Sequence, residues 1–427
     1  MKKVLIITYY WPPSGGAGVQ RWLKFSKYLP EFGVQPVVLT VDAVQASYAQ
    51  TDSSLVKEVP ESIEVHRTDT FELYNLYKKL SGKKEIPYGG FANEGKETGM
   101  QKLAKAIRGN FFIPDPRKGW NRYAYRKAVE LIRENGIETV ITTSPPHSTQ
   151  LIGLKLKKKL GVRWIADMRD PWTDIYYYKE LYHTALARRI DRLLELKVLR
   201  NADQIVTVSE DMKRIFNDKL SGSESESKFM VIPNGYDEED FAQHVDAEKE
   251  KYVITYTGTI SEAYDIDGFL EALVALPSDL QNRLLLRFVG KVPATITAKV
   301  ERKCPSLQTE LVGYVDHRKS VNYLLKSSMQ LLVIPKVENN KGIITGKFFE
   351  YLASGNPVLA IGPANGDLDQ LIRETGCGKL FEYDDVAAML QFLTLSMSGE
   401  QIAASKEKAQ AYSRRELTRL LVEKLIR

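Results

Sequence analysis

Apolar residues in this chain fall in short blocks of strand length, separated by stretches in which they recur at helical spacing. In the first part the pattern predicts strands at Lys3–Tyr10, Gln35–Val41, Ile63–Arg67, Thr139–Thr143, Arg163–Asp167, Gln204–Val208 and Phe229–Ile232. Helical periodicity lies between them, at Val19–Phe32, Arg122–Asn135, Thr149–Leu160 and Ala185–Arg200. Ser221–Ser227 reads as an exposed polar loop, and the acidic stretch Asp237–Lys251 as a linker. The alternation then restarts, with strands at Tyr252–Thr257, Leu284–Val289, Thr309–Val312, Gln330–Ile334 and Pro357–Ile361. The chain closes in helices, the last at Arg414–Ile426. Nearly continuous apolar strands alternating with helices imply parallel sheets covered on both faces. The expected class is α/β: two Rossmann-like doubly wound domains, residues 1–236 and 250–411, facing across a cleft.

Residues 68–118 break the rhythm. They mix Tyr74, Tyr77, Tyr88, Phe91, Phe111 and Phe112 with Lys78, Lys79, Lys83 and Lys84. The plain reading is a helical insertion with its own small core; a flap gripping an acceptor or a bilayer is the competing one.

Composition narrows the class. A length of 427 residues exceeds one ordinary domain, and 43% apolar with 27% charged residues excludes collagen, coiled coil and wholesale disorder. No apolar run approaches the roughly 20 residues of a membrane span. The start Met1-Lys2-Lys3 imitates a signal peptide, yet Tyr9, Tyr10 and Trp11 run into Pro12-Pro13 with no small-residue cleavage site, so a buried first strand is expected. Cys304 and Cys377 are too few for a disulfide framework or a zinc site, which suits the cytoplasm. The net charge of +6 conceals 33 Lys and Arg against 21 acids in residues 1–200, and 27 against 33 beyond. The densest basic stretches, Lys155–Lys159 and Arg188-Arg189 with Arg192, read as solvated helix faces, with an anionic membrane surface as the alternative. No nucleic-acid motif accompanies them, and no nucleic-acid partner is expected.

Four stretches carry candidate chemistry. Trp11–Gly18, between the first strand and a helix, has Gly15, Gly16 and Gly18, which let backbone amides approach an anion. The dinucleotide fingerprint is incomplete, because Gly16-Ala-Gly18-Val-Gln ends in Arg21, although Asp42 stands where a ribose-binding acid would sit. Ser144-Pro-Pro-His147 closes a strand, where a histidine either caps the next helix or hydrogen-bonds a polar substrate. Asp167-Met-Arg169-Asp170 offers either an internal ion pair or a cation and carboxylate for a ligand. The richest is Asn340–Ala360. Its glycines Gly342 and Gly346 open a helix whose first turn carries Lys347, a cation that the helix dipole disfavours unless an anion lies there. Glu350 follows, able to accept two hydrogen bonds from vicinal hydroxyls, and Gly355-Asn-Pro357 ends the helix. Together these suit one nucleoside diphosphate.

Lys347-Phe-Phe-Glu-Tyr-Leu-Ala-Ser-Gly-Asn-Pro-Val358, with Val231-Ile-Pro-Asn-Gly235, Tyr256-Thr-Gly-Thr259 and Phe288-Val-Gly290, stands in the order seen in GT-B glycosyltransferases. It resembles the large retaining glycosyltransferase family 4 over nearly the whole chain. The resemblance implies transfer of a sugar from a nucleotide donor on the second domain to an acceptor held mainly by the first. It implies that Glu350 holds the donor ribose and that Ile343, Ile344, Thr345 and Gly346 meet the sugar and diphosphate. It likewise assigns Gly15 and Gly16 to the phosphates, His147 to the donor sugar, Tyr314 and Val315 to the base, and Gly258, Gly290 and Lys291 to the donor pocket. The terminal helix, 412–427, is expected to cross back to the first domain.

The sequence departs from the family twice. A second glutamate, seven residues removed from the first, is often present there; here Gly342 stands eight before Glu350. The Arg/Lys pair often found after the second domain's first strand is missing from Thr259–Asp267. Lys347, Lys291 or Arg169 would then neutralise the leaving diphosphate, Lys347 foremost. Asp265-Ile-Asp267 and Asp367-Leu-Asp369 look like metal-binding pairs but precede helices, where aspartates serve as caps, so no metal and no cofactor beyond the co-substrate is expected. The expectation is a metal-independent, retaining glycosyltransferase of cell-surface polysaccharide assembly. It would use a UDP- or GDP-linked sugar and a glycan or lipid-linked acceptor at the inner face of a membrane. A GT-B-type nucleotide-sugar epimerase, with Asp170 as its acid or base, and a non-catalytic nucleotide-sugar-binding assembly partner are the alternatives.

Overall fold

The computed structural model describes residues 1–72, 99–221, 226–242, 250–400 and 405–426. The aromatic and lysine-rich part of the expected insertion at 73–98, most of the polar loop at 222–225 and most of the linker at 243–249 lie outside the described residues. Two compact units emerge, Met1–Pro233 with Leu417–Arg427, and Asn234–Glu416.

The first unit is built on β1 (Lys2–Ile7), β2 (Val34–Val41), β3 (Glu64–Thr68), β4 (Thr139–Ser144), β5 (Arg163–Met168), β6 (Gln204–Thr207) and β7 (Phe229–Val231). They form one parallel sheet in the order β3-β2-β1-β4-β5-β6-β7. Its helices are α1 (Ala17–Tyr28), α2 (Gly99–Phe111), α3 (Asn121–Asn135), α4 (Ser148–Leu160), α5 (Ala185–Asn201) and α6 (Glu210–Lys219). Val4, Leu5, Ile6 and Ile7 are all buried because both faces of β1 are covered, which is why this strand reads as an unbroken apolar run. β1 ends at Ile7, three residues before the expected Tyr10, and the chain turns through Pro12-Pro13, whose nitrogens have no proton for a ladder. Tyr9 and Trp11 stay buried within that turn.

The second unit holds β8 (Tyr252–Thr257), β9 (Leu284–Val289), β10 (Gln308–Gly313), β11 (Met329–Val333), β12 (Val358–Ile361) and β13 (Gly378–Phe381). Their order is β10-β9-β8-β11-β12-β13, again parallel. Its helices are α7 (Asp267–Val274), α8 (Ser278–Gln281), α9 (Ala294–Lys303), α10 (His317–Lys326), α11 (Gly346–Ser354), α12 (Asp367–Thr375), α13 (Val386–Met397) and α14 (Lys406–Gln410), while α15 (Arg414–Leu421) begins in this unit and passes at Leu417 into the first. β13 corrects the expectation that only helices follow β12: the four residues begin at Gly378, whose Cβ position is filled by the Val358 carbonyl, so glycine marks close strand approach rather than a turn. After α15 the chain loosens into a wider turn over Val422–Ile426, and Leu417, Leu421, Val422, Leu425 and Ile426 pack with Val4, Ile6 and Trp22. Among the described residues no helix is long and apolar enough to cross a membrane.

Candidate active site

Strand order in the second unit reverses between β8 and β11, and in open α/β sheets ligands gather at the carboxyl ends of strands beside such a reversal. β8 runs out at Gly258, with φ +90°, and β9 at Gly290, with φ +137°. A Cβ on Gly290 would lie 2.2 Å from the Gly258 carbonyl oxygen, so the second loop reaches the first only because it is glycine, and a Cβ on Gly258 would lie 2.6 Å from Lys347 Cε. α11 starts opposite them. Its N-cap Thr345 makes no capping bond, and Thr345 Oγ1 is buried without a hydrogen-bond partner. Helix N-termini leave amides without intrahelical acceptors, so N–H donors and a hydroxyl converge here.

Lys347 Nζ donates to Tyr256 Oη at 2.6 Å and to the Thr259 carbonyl at 3.3 Å, and lies 4.3 Å from the Tyr256 ring centroid. One turn further, Tyr351 Oη accepts the Thr257 N–H at 2.9 Å. The i, i+4 pair therefore fastens α11 to the end of β8. Burial pulls the Lys347 ammonium down to about 7, with Glu350 opposing the shift. The loop 259–267, which has no cation of its own, thus receives one from α11. It receives another from Lys336, 2.9 Å from Asp265. Asp267 is held by Lys299 and Lys303 at 2.9 Å each, and Asp369 by Arg373 and the Asn365 N–H, so these carboxylates are engaged in ion pairs and caps.

Glu350 faces α10. Its Oε1 lies 3.9 Å from His317 Nδ1, and His317 Nε2 lies 3.0 Å from Asp240 Oδ2. Burial raises the Glu350 carboxyl above its ordinary range, while His317 and Arg414 act against that shift. The turn at Gly313, with φ +76°, leads through Tyr314 and Val315 to Asp316, the N-cap of α10. The loop singled out for the base therefore begins the helix that carries His317. Tyr314 is exposed, Ile343 and Ile344 pack against the Phe348 and Phe349 cluster, and Lys291 is exposed with its carbonyl accepting the Ile260 N–H.

In the first unit the strand order reverses between β1 and β4. A cavity of about 390 Å³ opens there, lined by the turn after β1, the Pro145–His147 turn, Asp170, Arg108, Arg117 and the Tyr176–Tyr178 run. His147 stacks on Trp172 with centroids 4.7 Å apart, and its Nδ1 is buried without a partner. Burial, then the charges of Lys219 and Arg169, bring its pKa down to about 3, so the ring is neutral. Trp172 has φ +37°, a strained value for a bulky residue, and donates from Nε1 to Asp191 at 2.8 Å. Arg169 bonds the Ser144 and Gly18 carbonyls at 2.9 and 3.0 Å and leaves Nη2 buried and unpartnered. Burial raises the Asp170 carboxyl.

The sequence allowed an internal ion pair around Arg169. Instead Arg21, at the third position of the broken fingerprint, takes Asp167: Nη2 at 3.0 Å and Nε at 3.2 Å, both residues fully buried. Gly15 and Gly16 sit at the turn, but the Gly15 amide already donates to the Gln50 carbonyl at 2.9 Å, and Gly16, with φ +86°, is the N-cap of α1. Lys347, Thr345, Glu350 and the glycine loops are thus brought together in one unit, and His147 and Arg169 in the other. Arg108, Arg117, His183 and the tyrosine run of the cavity went unread, as did His317 and Asp240 beside Glu350. Three consecutive tyrosines after Asp170-Pro171-Trp172 were a usable signal; nothing local marks Asp240.

Residues 90–240 match the model of Glycosyltransferase Family 4. The structure is similar to Anabaena HepE solved with UDP, at 12% identity and a TM-score of 0.59 over 100% of both chains. It is also similar to the sucrose-phosphate synthase of Thermosynechococcus elongatus, at 14% identity and TM-score 0.61 over 99% of this chain and 98% of that one. A third is the apo form of WaaB, a lipopolysaccharide outer core galactosyltransferase, at 12% identity and TM-score 0.58 over 99% of both. No curated protein sequence matches the chain. Identities this low establish the fold and nothing finer. The two parallel sheets are those of the GT-B fold, and with the match over residues 90–240 the chain is a glycosyltransferase resembling family 4.

Proposed function

We propose that the second unit binds a UDP- or GDP-linked sugar and that the first binds a glycan or lipid-linked acceptor, the sugar passing to an acceptor hydroxyl with retained configuration. The observation that carries this reading is the start of α11, where an unpartnered Thr345 hydroxyl, first-turn amides, Lys347 and Glu350 occupy little more than one helical turn. A diphosphate there gains from the amides and the helix dipole. Its negative charge would also draw a proton onto Lys347, so a full cation stands where charge grows as the diphosphate departs. Glu350 would accept two ribose hydroxyls, Gly258 and Gly290 would let the ligand approach the backbone, and Ile343–Gly346 would lie along the sugar and diphosphate. Tyr314 and Val315 would meet the base, with Lys291 as an exposed cation nearby.

His147, neutral and with Nδ1 unused, suits a sugar hydroxyl, and Arg169 through Nη2 suits an anionic oxygen. Gly15 and Gly16 would contribute a close turn, with the phosphate contact limited by the spent Gly15 amide. The acceptor hydroxyl would attack on the face the nucleotide leaves and pass its proton to the departing phosphate oxygen, which requires neither an enzymic nucleophile nor a metal. HepE was solved with UDP, which supports UDP as the nucleotide, and WaaB is a lipopolysaccharide outer core galactosyltransferase, which supports a surface glycan as the acceptor.

A thermal-shift series with UDP, GDP, ADP and NAD, each with EDTA, tests the donor site. One nucleoside diphosphate should raise Tm despite EDTA, and Glu350→Ala should abolish the rise. No shift with any diphosphate removes the assignment. A second reading, a nucleotide-sugar epimerase, draws on Asp170, whose carboxyl lines the cavity with a raised pKa as an acid or base requires. Consumption of a nucleotide sugar with no acceptor present would select it.

A further inference from the structure

Two helices of the first unit turn apolar residues outward. On α2, Leu103, Ile107 and Phe111 recur every four residues and are 58%, 44% and 72% exposed. On α5, Leu186, Ile190 and Leu193 recur at four and three and are 68%, 41% and 46% exposed. The two rows adjoin. Asn110 of α2 donates to the Tyr182 carbonyl at 3.0 Å and accepts the Thr184 N–H at 2.7 Å, and Thr184 is the N-cap of α5. Tyr182, itself exposed, sits at the joint. A surface helix normally buries its apolar stripe; α5 buries Ala187, Val198 and Leu199 on one side and still shows three aliphatic residues on the other.

Charge on these helices is segregated just as strongly. The only acids of α5, Asp191 and Glu195, both point inward, where Trp172 and Tyr178 bond the first and Lys219 and Thr173 the second. Outward stand Arg188, Arg189, Arg192, Lys197 and Arg200. α2 contains no acid and exposes Lys102. Among the described residues, no carboxylate lies within 4 Å of Arg188, Arg189 or Arg192.

We propose that the α2–α5 face docks on an anionic lipid bilayer, with the six aliphatic and aromatic side chains entering the headgroup boundary and the arginines meeting lipid phosphates. The apolar rows distinguish this from a nucleic-acid surface, which gains from stacking and phosphate contacts and not from exposed leucines. The first unit's cavity is lined by Arg108 and Gly109 of α2 and by Leu181 and His183 of the adjoining turn. If the proposed lipid-linked acceptor is correct, its head would reach the cavity from the side where its anchor lies. The docking face itself does not depend on that reading.

Co-sedimentation with vesicles of phosphatidylcholine, alone or mixed with phosphatidylglycerol, tests it without nucleotide or acceptor. The wild type should sediment only with the anionic vesicles and should be released by salt. Each cation near such a surface contributes about fivefold to binding, so Arg189→Gln with Arg192→Gln should weaken it about 25-fold. Ile107→Ser with Ile190→Ser should abolish it at any salt, with Leu311→Ser on the second unit as a matched control. Unchanged melting temperatures show that the variants fold. No binding of the wild type at low salt, or wild-type binding by both double variants, overturns the proposal. So does vesicle-independent dimerisation lost in the isoleucine pair, which would assign the face to a second copy of the chain. Failure of the nucleotide thermal shift would leave every one of these outcomes readable.

Discussion

Lys347 offers a quantitative handle on the donor site, because its ammonium titrates near 7 in the ligand-free protein instead of near 10.4. The cause is burial against Tyr256 and the end of β8, opposed only in part by Glu350. A diphosphate placed at the start of α11 would restore the proton. Binding should therefore take up about half a proton at pH 7 and about nine-tenths at pH 8. The sign follows from the depressed pKa: below it the lysine is already charged, and above it binding must first protonate the lysine. Affinity should then weaken about fivefold from pH 7 to 8 and about tenfold more by pH 9, or ~1.4 kcal/mol per unit. Calorimetric titration with UDP in buffers of different ionisation enthalpy reads both quantities. Phosphate protonation and ordinary histidines titrate lower, so the window from pH 7 to 9 belongs to the lysine. Lys347→Met should bind more weakly at pH 7 and show no dependence across that window. A flat wild-type profile, or a slope that survives in Lys347→Met, refutes the reasoning.

Two further outcomes test the scaffold. Asp167→Asn leaves Arg21 charged and buried after removing an acceptor that also holds Trp22 Nε1 at 2.8 Å and Thr143 Oγ1 at 2.7 Å; urea unfolding should show a loss of about 3–5 kcal/mol. Gly290→Ala should lower Tm clearly more than Gly313→Ala. Both positions have positive φ, about 1–3 kcal/mol of strain each, but only the first drives a Cβ against backbone, 2.2 Å from the Gly258 oxygen.

The pattern of apolar blocks was enough for the fold, since a strand buried on both faces must be largely apolar, and Val4–Ile7 can be little else. It failed where glycine opens a short strand. β13 has four residues, with Gly376 and Gly378 close by, and glycine there reads as a turn until Val358 is seen to occupy its side-chain space. Lys347 and Glu350 were legible for a different reason: both lie in one helical turn, where spacing along the chain is spacing in the molecule.

Their chemical state was not legible. Glu350 meets His317, which binds Asp240 from 77 residues away, and Lys347 meets Tyr256 from 91. Arg21 and Asp167, 146 residues apart, pair in the core and leave Arg169 to bond backbone with one nitrogen unused. The sequence by itself determined the α/β layers, the glycine turns and the helix start that suits a phosphate, because these depend on local periodicity and on backbone freedom. Only the tertiary structure decided which lysine fills the loop that lacks a cation, which way α5 turns its acids and that His147 is neutral. Burial and charge pairing depend on what folding brings alongside, and that is not a property of any local stretch.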